Sequence, residues 1–180
     1  MLGVGNKVPV ATFIGRDGDI APEGGCPIGG RFVEQTTDEV FGGKRVVVFA
    51  LPGAWTPTCS SQQLPGFEAM YDDITLTHDI DEVYCLSVND GFVMNSWFKK
   101  DGVKNVKALC DGNGDFTVGM GMLCGKRNLG FGNRSWRYAM VVNDGKIEWM
   151  GVEPGYKDSA EDDPYGESSP EQVMNYLGAE

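Results

Sequence analysis

The stretch that most narrows what this chain can become is Arg45 to Leu51, RVVVFAL. Six apolar residues in an unbroken row after the arginine, most of them β-branched or aromatic, cannot keep one face in water. They predict a strand buried on both faces inside a sheet. Such a strand needs cover above and below, and the sequence around it supplies helices. From Pro57 to about Tyr71, Leu64, Phe67, Met70 and Tyr71 recur at three- and four-residue spacing, giving a helix with one apolar face that Pro65 should kink. A second apolar run, Glu82 to Val88, closes at Asn89-Asp90, and Phe92 to Lys100 then repeats the helical pattern through Phe92, Val93, Trp97 and either Met94 or Phe98. A third short strand is expected over Val106 to Leu109, closing at Asp111-Gly112.

The end of the chain changes pattern. Tyr138 to Val142 and Lys146 to Val152 flank Asn143-Asp144-Gly145, a tight-turn signal that predicts an antiparallel hairpin. Ser169-Pro170-Glu171-Gln172 reads as an N-cap, a proline at the first helical position and a capping-box partner, opening a last helix that runs to about Leu177. Alternating strands and helices followed by a hairpin describe an α/β chain with a mixed sheet and helices on both faces, a pattern several α/β sandwiches share.

With 180 residues, 41% of them hydrophobic, and no internal repeat, residues 1–180 are expected to form a single domain. Acidic residues outnumber basic ones 26 to 15, so the surface field repels phosphate backbones and anionic headgroups, and neither nucleic acid nor membrane is an expected partner. The opening MLGVGNKVPVATF lacks the apolar core of a secretion signal, and a cytoplasmic location is expected. The one sharp shift in composition is KDSAEDDPYGESS, Lys157 to Ser169, expected to be a solvated acidic loop.

Five cysteines, Cys26, Cys59, Cys85, Cys110 and Cys124, stand at wide, irregular gaps without a C-x-x-C, which makes a poor disulfide framework. The one histidine, His78, has no cysteine within five residues, so no metal site is expected, and His78 itself reads as a solvated loop residue. Context separates the thiols. Directly after the buried strand, Pro52-Gly53-Ala54-Trp55-Thr56-Pro57-Thr58-Cys59-Ser60 reads as a tight loop and a helix start, with Thr56 as N-cap and Pro57 at the first helical position. Cys59 then falls in the first turn, where unpaired amides and the positive end of the helix dipole favour a thiolate. Cys85, inside EVYCLSV, reads as core with a redox-partner role as the alternative, and Cys26, Cys110 and Cys124 as packing or surface thiols.

Pro52-x-x-x-Thr56-x-x-Cys59 resembles the active-site motif of the peroxiredoxins, and the longer PGAWTPTCSSQQLPGFE is similar to their peroxiredoxin-5 (type II) subfamily. LSVNDGFVMNSW (Leu86 to Trp97) and LGFGNRSWRYAMVV (Leu129 to Val142) extend the likeness over nearly the whole chain. DGNGDFTVGMGML with GFGNRSWRYAM is similar to the bacterial branch whose members are often fused to, or served by, a glutaredoxin. The resemblance implies a thioredoxin-like fold, a mixed central sheet flanked by helices, and a peroxidase that needs no metal, flavin or nicotinamide. Cys59 would attack hydrogen peroxide or an alkyl hydroperoxide, Thr56 would hydrogen-bond the thiolate and the peroxide, and Pro52 would shield the sulfur. Arg137 would pair with Cys59 and the peroxide oxygens, with Arg134, in a loop where surface arginine is ordinary, as the competing choice.

The same resemblance leaves the recycling step open. No cysteine follows Cys124, which closes the route through a C-terminal resolving thiol. Cys85 matches the resolving cysteine of plant-type relatives, which would make thioredoxin the reductant. The bacterial branch implies glutathione as reducing co-substrate with glutaredoxin as partner, and this second route is the expectation. A homodimer is expected as well. The acidic loop, longer than the family pattern, would be a solvated insertion or a feature that biases which reductant docks. A peroxide sensor, a chaperone-like redox protein and a thioredoxin-like scaffold without catalysis are the other classes considered.

Overall fold

The computed structural model describes residues 1–18 and 30–179. Cys26 lies outside the described residues. The chain opens with strands β1 (Thr12–Asp17) and β2 (Arg31–Thr36), an antiparallel pair, followed by helix α1 (Thr37–Phe41). The central strand β3 (Arg45–Ala50) leads through a loop and a π-helical turn (Cys59–Gln63) into α2 (Leu64–Ala69) and α3 (Tyr71–Thr77). Then come β4 (Glu82–Ser87), α4 (Gly91–Asp101), β5 (Lys107–Cys110), α5 (Asp115–Met120), the short pair β6 (Leu123–Gly125) and β7 (Asn133–Ser135), the hairpin β8 (Tyr138–Asn143) and β9 (Lys146–Val152), and α6 (Pro170–Leu177).

The main sheet has the order β5-β4-β3-β8-β9, parallel from β5 to β3 and antiparallel from β3 to β9. β3 is the middle strand, as its unbroken apolar run requires. Its side chains alternate between two cores. Val46, Val48 and Ala50 pack with α1 and α5 through Phe41 and Phe116, while Val47, Phe49 and Leu51 pack with α2, α4 and α6 through Phe67, Trp97 and Val173. Cys59 belongs to the second core. The β8–β9 turn places Asp144 and Gly145 at φ 46° and 74°, the left-handed pair that a two-residue hairpin turn demands.

The helix expected over Pro57 to Tyr71 is not continuous. Pro65 has no N–H to give to the carbonyl four residues back, and the chain widens into the π-helical turn instead, with the Leu64 amide reaching the Cys59 carbonyl. The helix then breaks at Met70, and α3 is a separate element. On α4, Met94 and Trp97 face the core, but Phe92 does not: it turns outward, edge-on to Phe32 with the Arg16 guanidinium over its ring. The Ser169 hydroxyl accepts from the Gln172 amide at the head of α6. A reciprocal capping box forms elsewhere, between Thr36 and Glu39 at the start of α1.

His78 is half-buried rather than solvated, at the C-terminus of α3. Its carbonyl accepts from Arg45 at the start of β3, the opposite end of that strand from Cys59. Among the described residues no helix is long and apolar enough to cross a membrane.

The rings of Phe49 and Phe67 stack in parallel with centroids 4.1 Å apart, both fully buried, and lock the helix that follows Cys59 onto β3. Phe67→Ala is expected to cost about 3–5 kcal/mol of stability in urea unfolding, the usual range for losing a buried aromatic ring.

Candidate active site

β3 delivers the chain to the site at its C-terminal end, where Leu51 donates to the Leu86 carbonyl of neighbouring β4. Asn89, just past β4, then fixes the loop: its Oδ1 accepts from the Ala54 amide at 3.0 Å and from the Ser87 hydroxyl at 2.6 Å. The Thr56 hydroxyl does not cap the helix as expected. It donates to the Gly53 carbonyl at 2.7 Å, closing the loop on itself, while the Thr56 carbonyl accepts the Ser60 amide and so begins the helix. Pro57 and Thr58 are the first helical residues, and Cys59 is the third, in the expected first turn. From α4, the Trp97 indole N–H donates to the Ser60 hydroxyl at 3.0 Å, tying the turn down from its other side.

The Cys59 sulfur is fully buried. Arg137 leads into β8, beside β3, and is itself 1% exposed. Its Nη1 lies 3.5 Å from Cys59 Sγ and 2.6 Å from Gln63 Oε1, and its Nη2 lies 2.5 Å from Asp163 Oδ1. Burial acts to lower the pKa of Arg137, but the neighbouring Cys59 and Asp163 charges outweigh it and the value is raised. Arg137 Nε and Gln63 Nε2 are buried N–H donors without a partner among the described residues.

Arg134 is not the surface loop arginine expected: it sits on β7, paired with Cys124 of β6. It is half-buried, with Nε donating to the Phe131 carbonyl at 2.9 Å and Nη1 to the Pro52 carbonyl at 3.4 Å. Burial lowers its pKa, opposed by the charge of Cys59. The two arginines thus divide the work: Arg137 faces the sulfur, and Arg134 anchors the loop that carries Pro52. Pro52, buried, joins Thr56, Pro57, Leu129, Phe131 and Asp163 in lining a cavity of about 290 Å³.

The acidic segment Lys157 to Ser169 has no regular structure and keeps its charged side chains exposed, as expected, with Ser169 capping α6, yet parts of it turn inward. Ala160 and Ser168 are buried, Asp163 pairs with Arg137, and the Tyr165 ring lies 5.9 Å from the Arg137 guanidinium. The segment is part of the site.

Cys85 is fully buried in the same core as Cys59, on a strand paired on both sides. Burial pushes its thiol well above the ordinary value, and the nearby Cys59 and Cys110 add to the shift. Burial also raises Cys124, and raises Cys110 to about 12. The four described cysteines are free and buried, so Cys110 and Cys124 are packing thiols rather than surface ones.

Gln63 and Asp163 are the site residues the sequence reading missed. Gln63 follows Cys59 by four residues on a predicted helix, a spacing that puts two side chains on one face. Asp163 carries no local signal, because only the fold brings it to Arg137.

The chain that carries this arrangement is similar to known proteins over most of its length. Residues 4–166 match the Redoxin family model. A peroxiredoxin of Rhizobium etli is 51% identical over 173 residues, covering 96% of this chain and 95% of that protein. A hybrid peroxiredoxin of Haemophilus influenzae is 43% identical over 96% of this chain, which spans 65% of that protein's length. The chain belongs to the peroxiredoxin family. Its affinity is with the peroxiredoxin-5-like members, and the fold is the expected thioredoxin-like one. A solved 1-Cys peroxiredoxin, the antioxidant protein of Plasmodium falciparum, superposes with a TM-score of 0.89 at 32% identity, covering 98% of this chain and 99% of that one. The protein is a thiol-dependent peroxidase that acts on peroxides and draws on a redox partner for recycling.

Gly53 is where the peroxiredoxin loop and Arg134 meet. A Cβ at this position would stand 2.4 Å from Arg134 Nη1 and 3.2 Å from Asn89 Oδ1. Gly53→Ala is expected to push Arg134 off the Pro52 carbonyl and slow peroxide reduction roughly tenfold, since displacing a site by about 1 Å can cost up to a hundredfold. Stopped-flow kinetics beside a thermal melt checks this, with the melt showing a folded protein.

Proposed function

We propose that Cys59 is the residue that attacks the peroxide, that Arg137 and Thr56 stabilise the reacting atoms, that Pro52 screens the sulfur from bulk water, and that glutathione with glutaredoxin recycles the enzyme. The observation that supports this most directly is the Arg137 Nη1 donor 3.5 Å from Cys59 Sγ, in a fully buried setting. Charge there is screened little by water, so donors fixed in advance are worth more than in solution.

The Cys59 thiolate attacks the terminal oxygen of R–O–O–H along the O–O axis. An S–O bond forms as the O–O bond breaks, and RO⁻ leaves and takes a proton from solvent. Sulfur gains one oxygen as Cys59–SOH, and the peroxide is reduced to an alcohol, or to water when the substrate is hydrogen peroxide. The buried, unpartnered N–H donors of Arg137 and Gln63 support the reading, because a buried donor without an acceptor costs about 1–3 kcal/mol, which an arriving oxygen would recover. The Thr56 hydroxyl, held on the Gly53 carbonyl, has lone pairs left to accept from the peroxide O–H. The cavity lined by Pro52, Leu129 and Phe131 suits alkyl as well as hydrogen peroxide. No metal, flavin or nicotinamide takes part in these steps.

Recycling needs a thiol at the Cys59 sulfur. Glutathione would displace water from Cys59–SOH to form a mixed disulfide, which glutaredoxin then reduces. Three observations favour this over a Cys59–Cys85 disulfide: the Cys85 thiol is pushed up by burial, its strand is held by ladders on both sides, and relatives of this chain include a 1-Cys and a hybrid peroxiredoxin. Because Cys59 is buried, the thiol reaches it once the first helical turn opens, and the π-helical turn is a weak point for such opening. Cys59→Ser is expected to abolish peroxidase turnover, whereas Cys85→Ser keeps it with glutathione and glutaredoxin. Retained activity in the first variant sinks the assignment of Cys59, and lost activity in the second sinks the one-cysteine route in favour of a Cys85 and thioredoxin cycle.

A homodimer completes the proposal. Trp55 and Leu129 are each about half exposed beside the active-site loop and its cavity, an apolar surface of the sort that subunits bury. Sedimentation at micromolar concentration is expected to give a dimer, and a single monomer species refutes it.

A further inference from the structure

We infer that Asp163, from the acidic segment, is a positioning residue for peroxide reduction, its carboxylate fixing the Arg137 guanidinium in the plane that presents Nη1 to Cys59. The inference rests on the reading of Cys59 as the attacking thiol, and adds to it the residue that orients its arginine.

A guanidinium turns about its last side-chain bonds unless its planar fork is held at more than one point. Arg137 is held at two. Gln63 Oε1 takes Nη1 at 2.6 Å, and Asp163 Oδ1 takes Nη2 at 2.5 Å. With both in place, the second Nη1 hydrogen is directed to the sulfur 3.5 Å away, and Nε–H stays unpartnered and available to an oxygen at the reacting centre. Gln63 alone constrains one corner of the fork and leaves the plane free to tilt.

The placement of Asp163 is itself built rather than incidental. Glu153, buried at the end of β9, donates its backbone N–H to the Arg137 carbonyl. Its Oε1 accepts from the amides of Gly166 and Ser168 at 2.8 Å each and from the Ser168 hydroxyl at 2.7 Å. The segment leaving Glu153 therefore returns to it, and between departure and return it sets Asp163 on the guanidinium and the Tyr165 ring nearby. Arg137 backbone, Glu153, Ser168, Asp163 and Arg137 side chain form one closed circuit of hydrogen bonds and chain. The Asp163 side chain is 41% exposed while that of Arg137 is 2% exposed, so the carboxylate meets the buried guanidinium from the solvent side, and its substitution removes no core packing.

The test measures the second-order rate of Cys59 oxidation by hydrogen peroxide in stopped flow, without any reductant, for Asp163→Asn, Asp163→Glu, Arg137→Gln and the double variant Asp163→Asn/Arg137→Gln. Asp163→Asn is expected to lose roughly tenfold in rate, the scale of a small loss of alignment, with the thermal midpoint nearly unchanged and Asp163→Glu recovering most of the loss. In the Arg137→Gln background Asp163→Asn is expected to add nothing, because the residue it positions is gone. A wild-type rate in Asp163→Asn overturns the inference. So does an equal fold loss in both backgrounds, which marks an effect that does not pass through Arg137. A Cys59→Ser control that still reduces peroxide at the normal rate instead overturns the assignment of Cys59, a separate failure.

Discussion

The site is organised around one buried guanidinium. Arg137 has hardly any contact with water, and a cation in that position persists only where negative and polar partners surround it. Cys59, Gln63 and Asp163 are those partners, and they arrive from two places: the first turns of the helix after β3, and a long loop after β9. The sheet brings them together. β3 and β8 are antiparallel neighbours, with Ala50 opposite Tyr138, so the chain leaving β3 toward Cys59 and the chain entering β8 from Arg137 meet at the same end of the two strands. The same neighbourhood that serves a thiolate would be a poor place for an unpaired arginine, and the requirement runs both ways.

Holding the thiol there demands restraint from several directions at once. Asn89 and Arg134 pin the preceding loop through the Ala54 amide and the Pro52 carbonyl, Trp97 pins Ser60, and the Phe49–Phe67 stack fixes the helix beyond. Between these anchors lies the turn that Pro65 keeps from becoming regular α-helix. Rigid flanks with a weak turn between them suit the cycle proposed for Cys59, in which the sulfur is sheltered from water when it meets a small peroxide and then reached by a bulkier thiol.

Much of this is legible in the sequence, for identifiable reasons. The double-sided burial of Val46 to Leu51, the left-handed turn at Asp144-Gly145 and the helix cap at Ser169 are local signals, and each appears where the pattern puts it. Cys59 is legible because a buried strand, a proline-rich loop and a helix start stand next to one another. What stays hidden depends on long-range contact. β1 and β2 alternate weakly and are largely exposed, so their pairing shows little in composition. Phe92 looks like a core residue by spacing, yet Arg16 and Phe32 give it an outer surface to cover. Arg134 and the acidic segment read as solvated because charge suggests water, while their partners, Pro52 and Arg137, lie 82 and 26 residues away.

The hydrogen bond from the Trp97 indole to Ser60 also gives the protein an optical property. Indole emission responds to the loss of a polar partner and to entering water, and this indole is fully buried with its partner Ser60 next in sequence to Cys59. In the proposed cycle, unwinding of the turn breaks that bond, so the Trp97 share of the emission, read against the other three tryptophans, would follow the motion that exposes Cys59. It needs no attached dye and reports at the place where the chemistry waits.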